Sequence, residues 1–218
     1  MILTLASSKG GPGKTLISAL LLGTLANAGV RPAAVDTDPT GALSRWAKHH
    51  YEGPPFRIHH QVEETPLTDL LAELEREHPL VIVDTAGFGN RSAAMAITAS
   101  DAVLVPLVPG EADVSEAVRT LAFVASIARA SRRTIPARVV LNRVRSTTLS
   151  RHIASEVDRL GLPRAQCTLS ELVAYAEQTY SGRLPVGERA EAEVAMLIDE
   201  LTMLGFLPTP PLRESAAA

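Results

Sequence analysis

Two lysines, Lys9 and Lys14, stand five residues apart in SSKGGPGKTL, residues 7–16. The chain has three lysines against 18 arginines, so most of its ammonium groups are concentrated in this one stretch. An ammonium on a flexible stem is a compact charge suited to phosphate oxygens. Glycines let main-chain N–H groups approach such oxygens and adopt positive φ, and a helix N-terminus adds its unpaired N–H groups and positive dipole end. In this arrangement Lys14 would reach the β- and γ-phosphates of a nucleoside triphosphate, and the Thr15 hydroxyl would ligate Mg²⁺. Carboxylates close two further apolar runs: Asp36 and Asp38 in VDTDPT (35–40), and Asp84 in LVIVDTAG (80–87). A carboxylate beside a phosphate cradle holds Mg²⁺, and Asp84 would do so through a water. Asp36 and Asp38 lie where strand ends carry ligand chemistry; the alternative is that they cap the next helix or form an Asx turn before Pro39.

Positioning these groups requires strands that deliver them to one edge. Candidate strands are 2–6, 33–36, 56–60, 80–84, 102–107, 137–142 and 166–169. Candidate helices are 14–28, 41–51, 66–77, 91–99, 113–131, 147–160, 171–180 and 189–204. Several strands are continuous apolar runs without alternation, the pattern of strands buried on both faces. Strand–helix alternation of that kind predicts an α/β fold, a doubly wound, mostly parallel twisted sheet flanked by helices. The expected organisation is a single domain over 1–206 and a Pro-rich, then small and polar, disordered tail over 207–218.

Composition narrows the function classes. At 218 residues with 46% hydrophobic and 21% charged content, the chain suits one soluble globular domain. Its net charge of −3 gives no overall attraction to nucleic acid or membrane, so any such role needs local clustering. Cys167 is the only cysteine, which excludes an intrachain disulfide or cysteine cluster. The apolar stretch 16–29 is too short and interrupted to span a bilayer, and no secretory leader is expected.

KGGPGKT resembles the deviant Walker A box, K-G-G-x-G-K-[TS], of the ParA/MinD family of ATPases, a P-loop NTPase group. The resemblance implies ATP and Mg²⁺ as cofactors and a cradle of Lys9, Gly10, Gly11, Pro12, Gly13, Lys14, Thr15 and Leu16. It places Lys9 at the family's signature lysine, which reaches the nucleotide of the partner subunit in an ATP-bound homodimer. VDTDPT is similar to the family's D-x-D-P-Q box, with Thr40 for Gln, and implies that Asp38 orients the attacking water and Asp36 assists Mg²⁺. LVIVDTAG resembles its Walker B strand, followed by a switch loop over 85–92 that senses the γ-phosphate. VVLNRV (139–144) resembles a later strand and places Asn142 near the adenine. The sequence departs from the family at Pro12, which removes a backbone donor, at Leu16, where the family has Thr or Ser, and at Leu172, where it has Arg. The resemblance spans residues 1 to about 204.

From Arg119 to Arg164 there are ten arginines and two acids, a local charge of +8 in a chain of −3. Such asymmetry is what a sequence-independent contact to a phosphate backbone uses. Arg132, Arg133, Arg145 and Arg151 are the candidate DNA-binding residues. Because the first strand begins at residue 2, the chain resembles the small partition ATPases without an N-terminal helix-turn-helix domain. The resemblance therefore implies an ATPase switch, slow unless stimulated, that dimerises on Mg-ATP, binds DNA non-specifically and drives partition or cargo positioning. A ParB-like or adaptor protein would stimulate it, in the cytoplasm and on the nucleoid. A MinD-like positioning ATPase or a P-loop small-molecule synthetase is the alternative, but the last helix is acidic and followed by prolines, against a membrane anchor.

Overall fold

In the computed structural model, which describes residues 1–87 and 91–211, six strands form one sheet. They are β1 (Ile2–Leu5), β2 (Ala33–Asp36), β3 (Arg57–His60), β4 (Val81–Asp84), β5 (Ala102–Leu107) and β6 (Ala137–Leu141). The spatial order is β3-β2-β4-β1-β5-β6, and all five pairings are parallel. Eight helices connect and follow them: α1 (Lys14–Asn27), α2 (Ala42–His49), α3 (Glu64–Glu77), α4 (Arg91–Ala99), α5 (Glu111–Ser131), α6 (Thr148–Arg159), α7 (Val173–Ser181) and α8 (Glu188–Met203). The doubly wound expectation holds, and the sheet is wholly parallel.

Alternation along the strands explains the layers. Leu3, Leu5, Ala34, Ile82 and Leu104 face a core shared with α1, α2 and α8. Their neighbours Ile2, Ala33, Val35, Val81 and Val83 face α3 and α4 on the other side. Val103, Val105, Val139 and Leu141 extend that second side beneath α5 and α6. α1 is apolar almost all round because it is enclosed by the sheet, α2 and α8, and ten of its 14 residues are buried. It ends at Gly29, at φ 83°, with Val30 N–H donating to Leu25 O at 3.0 Å, a glycine-terminated helix stop.

The register sets the site. Leu5 pairs with Asp84, and Asp36 pairs with Asp84, so the C-terminal ends of β1, β4 and β2 lie side by side. The chain leaves β1 toward β2 and β3, returns to β4, and only then builds β5 and β6 on β1's other flank. That reversal opens a crevice at the carboxyl ends of the strands, where ligands bind in open α/β sheets.

The strand expected at 166–169 does not form as a ladder strand. The segment runs beside β6 and the residues after it with only isolated parallel bridges, Val139–Arg164 and Val144–Ser170, and a Leu169 N–H bond to Leu141 O at 2.9 Å. Five steps separate the first member of each bridge and six the second, so one extra residue breaks the ladder. Its outward N–H groups are taken by helix α8 instead. Gln166 and Cys167 donate to the Glu200 carboxylate at 2.7 and 2.8 Å, and Ser170 N–H donates to Glu193 at 2.8 Å. Phe206 and Leu207 are both buried against the core, and residues 212–218 of the expected tail lie outside the described residues. Among the described residues no helix is long and apolar enough to cross a membrane.

Candidate functional site

The loop between β1 and α1 is built by its glycines. Gly11 and Gly13 sit at φ 96° and 101°, where a side chain would be strained. A Cβ on Gly13 would also meet Asn142 Nδ2 at 2.1 Å. Gly13 begins α1 without any side-chain cap, so the first N–H groups of the helix are left for a ligand. Lys14 is buried, and its Nζ donates to Ser7 Oγ at 2.6 Å and to the Lys9 carbonyl at 3.3 Å. Burial lowers the Lys14 pKa, and the charges of Asp84 and Asp38 oppose that shift. Lys9 points the other way: its Nζ pairs with Asp113 Oδ1 of α5 at 2.5 Å.

The three carboxylates have different surroundings. Asp84 is buried, accepts from the Thr15 hydroxyl through Oδ2 at 2.7 Å, and leaves Oδ1 with no partner. Burial pushes its carboxyl up to about 7; the Thr15 hydrogen bond opposes that, while the charge of Asp36 adds to it. Asp36 is also buried, but both of its oxygens are engaged. Oδ1 accepts from Asp38 N–H at 3.1 Å and Oδ2 from Ser44 N–H, in the first turn of α2, at 2.9 Å. Burial raises its pKa, and those two N–H groups counter the shift. Asp36 thus fixes the β2–α2 turn, the capping alternative raised by the sequence. Asp38 accepts from Thr40 N–H through Oδ1 at 2.8 Å, an Asx turn, while its carbonyl accepts from Gly41 N–H at 2.8 Å. It lies close enough to Lys14 and Asp84 to act on both electrostatically.

An orphaned, buried carboxylate oxygen beside a hydroxyl is a hard-oxygen donor set, and it fits Mg²⁺. Thr15 and Asp84 would hold the ion. The glycine cradle, Lys14 and the uncapped helix end fit a triphosphate. Asn142 is buried at the base of the loop, donating through Nδ2 to the Pro12 carbonyl at 2.9 Å and leaving Oδ1 unpartnered. It borders a cavity of about 260 Å³ that Leu16, Arg143, Glu171, Leu172, Tyr175 and Thr179 also line. Pro12, a departure from the family pattern, therefore supplies the carbonyl that anchors the loop. Of the switch loop expected over 85–92, residues 88–90 lie outside the described residues, and a Cβ on Gly87 would touch Lys9 at 3.3 Å.

Several contacts were not signalled by the motifs. Ser7 holds the Lys14 ammonium, and its hydroxyl also donates to the Lys9 carbonyl at 2.6 Å. Ser8, where the general phosphate-loop pattern has its first glycine, donates from N–H to Thr120 Oγ1 at 3.2 Å and from its hydroxyl to Glu116 Oε2. The polar spacing Asp113, Glu116, Thr120 on one face of a predicted helix was the available signal.

The arginine-rich quarter separates in space. Arg132 and Arg133 follow α5 and precede β6, whereas Arg145 and Arg151 follow β6. A strand of five residues puts roughly 16 Å between those ends. The four candidates therefore lie at opposite ends of the edge strand β6. Acids also neutralise many of the ten arginines: Arg133 pairs with Asp101 at 3.6 Å, Arg159 with Glu156 at 2.7 Å, Arg164 with Asp158 at 2.6 Å and Arg119 with Glu116 at 2.9 Å. Arg145 pairs with Glu171. Asp101, Glu116 and Glu171 come from outside the run, so the local charge is smaller than the sequence count implies.

A parallel sheet with a glycine-lysine loop after its central strand, and carboxylates at the ends of the next two strands on one side, β4 and β2, defines a P-loop NTPase of ParA/MinD type. A Cyanothece McdA variant in complex with ATP shares this fold with a TM-score of 0.76 at 18% identity, covering 95% of this chain and 97% of that one. The chain belongs to the family described as VirC1 protein, which matches residues 1–201. Protein ParA of Rhizobium radiobacter is 32% identical over 144 residues, 66% of this chain and 64% of that protein. Protein virC1 of the same organism is 29% identical over 192 residues, 84% of this chain and 82% of that protein. The relatives place the chain in the ParA/MinD group of P-loop ATPases.

Proposed function

We propose that this chain is a Mg-ATP-dependent ATPase switch of ParA type that dimerises on ATP, binds DNA non-specifically and drives partition or positioning of a cargo. The observation that carries the reading is the orphaned Asp84 Oδ1 beside the Thr15 hydroxyl, at the foot of the buried Lys14 ammonium. Mg²⁺ would neutralise phosphate charge there. Lys14 and the uncapped end of α1 bind the triphosphate, Asp38 orients the attacking water, and Asn142 holds the loop beneath the base. Asp36 fixes the β2–α2 turn that presents Asp38. Lys9, whose ammonium is turned out of its own cradle, reaches the nucleotide of a second subunit. A γ-phosphate contact made only in the dimer gives ATP the differential affinity that shifts the monomer–dimer equilibrium.

DNA binding would rest on four of the five arginines in this run that have no acid partner among the described residues, Arg132 and Arg151 of the candidates and Arg129 and Arg143 beside them, the fifth, Arg138, lying over the Phe206 ring. A ParB-like or adaptor protein would stimulate hydrolysis, on the nucleoid in the cytoplasm and without a membrane partner. The test is light scattering with Mg²⁺ and a non-hydrolysable ATP analogue, followed by gel shifts on arbitrary duplex DNA at low salt. A monomer that stays monomeric with the analogue, and turns ATP over only with a small-molecule acceptor, would be a synthetase instead.

A further inference from the structure

Helix α5 presents Asp113, Glu116 and Thr120, spaced three and four residues apart, to the N-terminal half of the phosphate loop. Each takes a group from that loop. Thr120 Oγ1 accepts Ser8 N–H at 3.2 Å, Glu116 accepts the Ser8 hydroxyl, and Asp113 pairs with Lys9 Nζ at 2.5 Å. Thr120 is itself anchored by donating to the Glu116 carbonyl at 2.8 Å. The main chain and side chain of Lys9 consequently face opposite ways. Its carbonyl is bound inside the cradle by Ser7 and Lys14, while its ammonium is bound outside by α5. Gly110 leaves room for Asp113, since a Cβ there would lie 2.7 Å from its Oδ2. It sits in the first turn of α5, directly after the β5 end that adjoins β1.

We propose that Asp113 is the positioning residue of Lys9, holding its ammonium against its own subunit until a second subunit's nucleotide competes for it. This rests on the reading of Lys9 as the lysine that reaches across the dimer. Reaching a second subunit's nucleotide would draw the ammonium off Asp113, so the two partners compete for it. ATP-driven dimerisation therefore includes the opening of one ion pair per subunit. With side chains 44% and 22% exposed, the pair is a modest restraint and is screened by salt. It adjusts the threshold of the switch and leaves the switch itself operable.

The experiment measures the Mg-ATP-analogue concentration at half-maximal dimer for the full chain. Asp113→Asn should lower that midpoint by about two- to fivefold at low salt, and Asp113→Ser should do the same if Asn is poorly tolerated. Asp113→Glu, which restores the carboxylate, should return the midpoint toward the parent value, and added salt should shrink the difference between parent and Asp113→Asn. A double-mutant cycle of Lys9→Ala and Asp113→Asn on urea unfolding of the nucleotide-free chain should show coupling between the two residues. If Lys9→Ala dimerises like the parent, the reach-across reading fails. If Lys9→Ala stops dimerising but Asp113→Asn leaves the midpoint unmoved or raises it, the positioning role of Asp113 alone is overturned, as it is by a cycle without coupling.

Discussion

The two ends of this molecule manage charge in opposite ways. At the carboxyl ends of β1, β2 and β4, charges are few, Lys14, Asp36 and Asp84 are buried, and the Asp84 carboxylate keeps one oxygen without a partner. In the quarter from Arg119 to Arg164 charges are many, and five of the ten arginines are matched by acids at the surface. Burying an incompletely paired charge costs stability, whereas an exposed pair is nearly neutral. The buried end is therefore where ligand chemistry explains an otherwise unfavourable arrangement. At the exposed end, the acid pairs leave only the unpaired arginines free to meet a phosphate backbone.

The sharpest way to break that contrast is to remove the buried ammonium. Lys14→Ala should lower ATP hydrolysis by at least about 100-fold, as for loss of a preorganised electrostatic contact to a transition state. Steady-state phosphate release checks it, and residual activity within a few fold of the parent would deny the loop its role.

Next in size is the pH dependence that the buried carboxylate imposes. The folded chain holds the Asp84 proton up to about pH 7, whereas an ordinary aspartate has released it above 3.8. Folding therefore gains from Asp84 below pH 4 and loses that gain as the pH rises toward 7. In metal-free buffer the unfolding free energy should fall between pH 5 and 7 by up to about 1.4 kcal/mol per pH unit. Urea titrations in chelator measure this. Asp84→Asn should flatten the slope, and saturating Mg²⁺ should do the same in the parent. An unchanged slope in Asp84→Asn would assign the pH dependence to other groups.

The smallest effect tests the exposed end. Arg132→Ala and Arg151→Ala should each reduce the salt slope of DNA binding by about one. Arg145→Ala, whose guanidinium is already engaged by Glu171, should leave the slope almost unchanged. Equal effects from all three arginines would mean that the Glu171 pair opens on DNA, and the distinction between paired and unpaired arginines would fall.

Much of this was legible in the sequence because it is local. Apolar runs marked the five central and flanking strands, though not the polar edge strand β3, and the glycine-lysine spacing marked the loop. Helix boundaries came within about three residues, as at α3, which begins at Glu64 where 66 was expected. What was illegible depends on contacts between distant residues. Lys9 meets Asp113, and Arg133 meets Asp101, through folding alone. Charge counted along the chain therefore overstated the basic surface. The failed strand at 166–169 was hidden for the same reason: its apolar pattern was adequate, but its pairing depended on a one-residue mismatch with β6 and on carboxylates of α8.

Those α8 carboxylates also determine how copies of this chain can assemble. With Glu193 and Glu200 taking the amides of Gln166, Cys167 and Ser170, three main-chain donors on this flank are already occupied and less open to an added strand. The opposite flank, β3, is four residues long and charged, with Arg57 bonded to Glu73 and Glu77. Growth by strand addition is disfavoured at both margins, so a filament of this protein is expected to be joined through helices and loops. A polymer of it should lack the cross-β signature in diffraction or dye binding.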